Sequence, residues 1–93
     1  MNTNEGNIFP HIIVEGTHKF HDGGGTREHR FPDWDTLEDC EWINPVYITP
    51  QSIKLKFASF NQRPQQNMHI RVFGTLFVQT ETFILVDSIK VVK

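Results

Sequence analysis

The side chains able to do chemistry fall into a few stretches. Lys54, Lys56, Arg71, Phe73 and Phe77 stand at alternate positions between apolar residues. In pleated chain they would share the face turned away from the core. Cations beside aromatic rings suit single-stranded nucleic acid, because bases stack on rings while Lys and Arg meet phosphates. The same residues also suit a sheet face covered by a loop, a helix or another subunit. A net charge of −2 favours that second reading and excludes a broadly cationic coat protein.

The segment His18–Phe31 holds three consecutive glycines, Gly23, Gly24 and Gly25, followed by Arg27, His29 and Arg30. Converging backbone N–H groups with those cations would cradle an anion. The plainer reading is a hairpin loop whose glycines supply positive φ, since the G-K-[ST] signature of a nucleotide-binding loop is missing. His18, His21 and His29 with Asp22 are metal-ligand types, but their spacing fits no metal motif, so no metal is expected. Cys40 lies among Glu38, Asp39 and Glu41, which disfavours a thiolate. Neither a G-x-S-x-G elbow nor a paired-carboxylate arrangement is recognisable. The expectation is a non-catalytic protein without a cofactor.

Residues 33–42 carry five acids and two tryptophans, Trp34 and Trp42. Trp is a common interface anchor, and surrounding acids would steer a basic partner. The alternative is that the two rings close one end of a small β-structure.

These groups need elements to position them, and a 93-residue chain offers one domain's worth. One cysteine excludes an internal disulfide framework. No apolar run approaches the ~18 residues of a membrane span, and the first residues lack the pattern of a signal peptide. An intracellular protein, cytoplasmic or nuclear, is expected. Residues 1–8 read as a flexible N-terminus.

Strands are expected over Asn7–Phe20, Ser52–Phe60, Met68–Thr80 and Thr82–Val92, from alternating apolar residues and β-branched or aromatic enrichment. Pro45–Thr49 reads as a short extended piece, Asn61–Asn67 as a polar connection, and Gln79–Glu81 as a turn. The last strand is apolar on both faces, which suits a central strand or one covered by a partner. Asp33–Trp42 fits either a two-turn helix capped by Asp33 or a loop pinned by its two Trp side chains. The chain is expected to be all-β, a small five- or six-stranded partly closed barrel.

One pattern occurs twice. His11–Thr17 and His69–Thr75 both read H-I-x-V-x-G-T. Each would be a strand with inward Ile and Val and a glycine at the next inward position, where a bulge or barrel corner leaves no room for a side chain. V-x-G-T in the first copy, R-V-F-G-T-L-F-V at Arg71–Val78 and F-I-L-V-D-S-I-K-V-V at Phe83–Val92 resemble an OB-fold. They are similar to the terminal strands of small OB domains in replication-protein-A-like and telomere-capping complexes. The family's helix lies between the third and fourth strands, where Asn61–Asn67 is too short for one, so a jelly-roll sandwich stays open.

The resemblance implies a small subunit of a nucleic-acid-handling complex. It would dock on a larger protein partner and present Lys54, Lys56, Arg71, Phe73 and Phe77 to that partner or to single-stranded nucleic acid. Two other classes fit the residues: a binder of small anionic or nucleotide-like ligands through the glycine loop, and a viral or phage assembly protein that forms homo-oligomers through its last strand.

Overall fold

The computed structural model describes residues 6–92. Of the N-terminus expected to be flexible, residues 1–5 lie outside the described residues. Asn7 and Ile8 are already paired, with Val78 and Phe77. Five strands make up the fold: β1 (Asn7–His21), β2 (Trp34–Asn44), β3 (Ser52–Phe57), β4 (His69–Val78) and β5 (Thr82–Val91). They close into a barrel in the order β1-β2-β3-β5-β4. All neighbours run antiparallel except β3 and β5, which are parallel. A single sheet closed on itself leaves no second layer, so the sandwich alternative falls away.

The period-two pattern drives this closure. Ile12 and Val14 of β1, Leu37 and Trp42 of β2, Ile53 and Leu55 of β3, Ile70, Val72 and Leu76 of β4, and Ile84 and Val86 of β5 fill one interior. Every strand contributes a buried pair or more, so no strand can leave without opening the core to water.

The repeated motif turns out to be a paired seam. β1 and β4 lie side by side, with Ile12 opposite Gly74, Val14 opposite Val72 and Gly16 opposite Ile70. Each of the two isoleucines meets a glycine, with the two valines facing each other between them, the balance of volume that a tight barrel needs. A Cβ on Gly16 would lie 2.6 Å from the Glu38 carbonyl oxygen, and one on Gly74 would lie 2.2 Å from that of Leu85. Both glycines also mark register breaks with their other neighbours, β1 with β2 at Glu15/Thr17 and β4 with β5 at Phe73/Gly74. The corners expected from the sequence are therefore bulges in the strands facing the glycines.

Two expectations need correction. Residues 33–42 form neither helix nor pinned loop; they are most of β2. Asp35 and Leu37 point inward with Thr36 and Glu38 outward, and the alternation then slips at Asp39, whose φ is 54°. That slip sets Trp42 inward five residues after Leu37 and breaks the period of two. Trp34 and Leu37, three apart, read as one helical face although they point to opposite sides of the strand. An inward aspartate hid the rest of the pattern. Pro45–Thr49 adds no sixth strand, and belongs to the loop between β2 and β3.

Candidate nucleic-acid interface

The outward positions of β2 and β3 form one wall. Lys54 is cross-strand partner to Thr36 on β2 and to Phe83 on β5. A groove of about 600 Å³ runs over this wall, lined by Trp34, Thr36, Lys54, Lys56 and Phe57 and closed by Ser59 and Arg63 from the β3–β4 connection. Trp34 is 40% exposed. One face of its indole is stacked on the His21 ring at 4.8 Å and 9°, and His21 Nε2 shares a 2.9 Å hydrogen bond with Thr36 Oγ1. The indole is thus a fixed platform at the groove edge.

Arg63 is fixed as well. Its Nε and Nη2 donate to Asp35 Oδ2 at 3.1 and 2.8 Å, and its guanidinium lies 4.7 Å from the centre of the Phe20 ring. Asp35 Oδ1 accepts from His18 Nε2 at 2.7 Å inside the barrel, while His18 Nδ1 donates to the Gln65 carbonyl at 3.0 Å. Backbone bonds join His18 to Met68 and Asn67. The connection that walls the groove is therefore tied to β1 and β2 through one buried pair.

The two lysines share a counter-ion. Glu81, on the turn between β4 and β5, accepts from Lys54 Nζ at 3.0 Å and pairs with Lys56 Nζ at 2.8 Å. Hydrogen bonds from Lys56 and then Lys54 hold its carboxyl below the usual carboxylate range. Lys56 Nζ also sits 4.0 Å above the Phe83 ring, which stacks on Phe77 at 5.0 Å.

All five residues expected on the outer face do lie outside the core: Lys54, Lys56, Arg71, Phe73 and Phe77. They do not form one face. β5 intervenes between β3 and β4, so Lys54, Lys56 and Phe77 meet around Phe83. Arg71 lies elsewhere, bound through Nη2 to Glu15 Oε2 on β1 at 2.5 Å. Phe73 is flanked by Ile13 and Ser88. Along the outside of β1, β4 and β5, Ile8 and Leu85 are 53% and 41% exposed beside the Phe77–Phe83 stack.

The glycine loop is occupied by its own chain. Gly23 N–H donates to Asp33 Oδ1 and Gly24 N–H to Asp22 Oδ1, at 3.0 and 2.8 Å. Arg30 Nη2 reaches both carboxylates. The bond from Gly24 and the charge of Arg30 hold the Asp22 carboxyl low. Donors that an anion would need are thus satisfied internally, while Arg27 and His29 stay exposed. The three histidines of the loop region point to three tasks: His18 to the buried pair, His21 to Trp34, and His29 to solvent.

Trp42 is no surface anchor. It is 8% exposed, with Nε1 donating to the Pro50 carbonyl at 2.8 Å, so it closes the barrel end. Cys40 Sγ donates to the Leu37 carbonyl, and burial, helped by Glu38 and Asp39, pushes its thiol up to about 12. That leaves no thiolate at neutral pH.

Sequence reasoning missed Phe83, Glu81 and Arg63 as groove partners. Phe83 was visible as an outward ring on a strand apolar on both faces. Glu81 and Arg63 arrive from turns, where alternation gives no signal. Compared with protein-family models, curated proteins and solved structures, the chain matches none.

Proposed function

We propose that this chain is a non-catalytic, OB-like binding module that lays a short single strand of nucleic acid along the β2–β3 groove, as a small subunit of a nucleic-acid-handling complex. The observation that carries this reading is the groove itself. An exposed indole held by His21 and the cations Lys54, Lys56 and Arg63 line one trough. The strand order, with its one parallel pair and a groove on the second and third strands bordered by two loops, supports the OB comparison.

The test is fluorescence anisotropy with labelled oligo(dT) of about 15 nucleotides, long enough for one such barrel, over a salt series. Binding should weaken as salt rises. Trp34→Ala should cost about 1–3 kcal/mol, the worth of one stacked base. No binding at low salt overturns the reading.

A specific observation also favours a protein contact on the surface that adjoins the groove. The Phe77–Phe83 stack with exposed Ile8 and Leu85 gives the barrel an apolar flank that begins beside Lys54 and Lys56 at the β5 side of the groove and runs across β4 to β1. Docking over the β4–β1 part of that flank, at Phe77 and Ile8, would leave the Trp34 side of the groove open, as a subunit needs.

A further inference from the structure

The charges of the groove nearly cancel, and one residue decides the balance. Its charged lining is Lys54, Lys56 and Arg63 against Asp33 and Asp35. Asp35 is engaged by Arg63 and His18, and Asp33 by Arg30 and the Gly23 N–H. The remaining cations are the two lysines, and both are bridged by the single carboxylate of Glu81, one oxygen to each. Glu81 is not part of the strand wall. It reaches in from the exposed turn of residues 79–81.

From this we infer that Glu81 is an internal stand-in for a nucleic-acid phosphate, an autoinhibitory contact that a bound strand must displace before Lys54 and Lys56 can meet its backbone. This inference rests on the proposed groove function and adds its regulation. A carboxylate bridging two ammonium groups about 3 Å away on each side uses the geometry that a phosphate oxygen pair would use. The exposed pairs are weak individually, so the contact yields to a ligand that brings stacking on Trp34 as well. It does not yield to a lone inorganic anion. The consequence is selectivity: the groove stays near neutral towards polyanions that lack bases, and becomes cationic only for a strand that also stacks.

The experiment compares wild type with Glu81→Gln, Glu81→Ala and Glu41→Gln, using labelled oligo(dT) and, as competitor, base-free polyphosphate. Glu41 is exposed on β2 and lines no part of the groove, so its variant makes the same change in net charge elsewhere. Glu81→Gln and Glu81→Ala should bind oligo(dT) about 3–10-fold more tightly at low salt, the worth of the two exposed pairs. The slope of log K against log salt should steepen by roughly 0.7, one further phosphate contact on a single strand. Polyphosphate should compete well against the Glu81 variants and poorly against wild type. If wild type binds but the Glu81 variants bind no tighter than Glu41→Gln, the stand-in is overturned and the groove reading survives. If no protein binds oligo(dT), both are overturned.

Discussion

His18 Nε2 lies 2.7 Å from Asp35 Oδ1, with both side chains buried inside an otherwise apolar barrel. Taking such a pair out of water costs several kcal/mol per ion before any attraction is counted. Here the cost is offset by complete pairing: Arg63 fills the other carboxylate oxygen and the Gln65 carbonyl fills the other ring nitrogen. No buried side-chain polar atom among the described residues lacks a partner. The pair therefore fastens the β3–β4 connection, and the groove wall it carries, to the inside of the barrel.

Breaking that pair should be expensive. Asp35→Ala leaves His18 and Arg63 without their shared acceptor, and is expected to cost about 3–5 kcal/mol. Urea denaturation measures it. A loss below about 1 kcal/mol would show the pair to be dispensable.

The paired glycines predict steric damage of graded size. Gly74→Ala would drive a Cβ to 2.2 Å from the Leu85 carbonyl oxygen, and Gly16→Ala to 2.6 Å from that of Glu38. Overpacking of this kind costs about 1–3 kcal/mol, with Gly74→Ala the worse of the two. Thermal melting should rank them in that order, and the reverse order would contradict the geometry.

Cys40 gives the fold a sensitivity to alkali. Its thiol is raised in the folded state, to about 12 from a reference value of 9.0. The unfolded chain therefore loses this proton first as pH rises, and stability declines above pH 9. Cys40→Ala should flatten that part of the stability profile relative to wild type. In the native protein at pH about 8 the thiol should react with a disulfide reagent only as fast as the strand opens.

Glu81 has the opposite sign. Its carboxyl is held below the reference value of 4.5 in the fold, so its contribution is present above that value and lost as pH falls through the folded one. The stability difference between wild type and Glu81→Gln should be constant near neutrality and vanish in acid. Denaturant titrations at a series of pH values check this, and a difference that grows in acid would refute it.

Much of the barrel was legible because β3 and β4 alternate without a break, and β1 and β5 alternate over residues 12–16 and 83–86, with Ile, Val and Leu facing inward. β2 was not, since its first inward residue is Asp35 and its second half is displaced by the break at Asp39. A buried aspartate reads as surface until its partners, His18 and Arg63, are known to be adjacent. The outward direction of Lys54, Lys56, Arg71, Phe73 and Phe77 followed from the pleat alone. Their grouping did not, because it depends on β5 inserting between β3 and β4, and strand order is set by closure rather than by local pattern.

The Ile–Gly seam has a consequence for how the barrel finds its alignment. Inward–outward alternation rejects a slip of one residue between β1 and β4, because that would turn apolar side chains to water. It is blind to a slip of two. In the observed alignment Ile12 faces Gly74 and Ile70 faces Gly16. Sliding by two in either direction sets Ile12 against Val72 or Leu76 and Ile70 against Val14 or His18, so both isoleucines lose the room that the facing glycine leaves. The repeated motif thus acts as a combination lock on strand registration, in which side-chain size excludes the misalignments that polarity would accept.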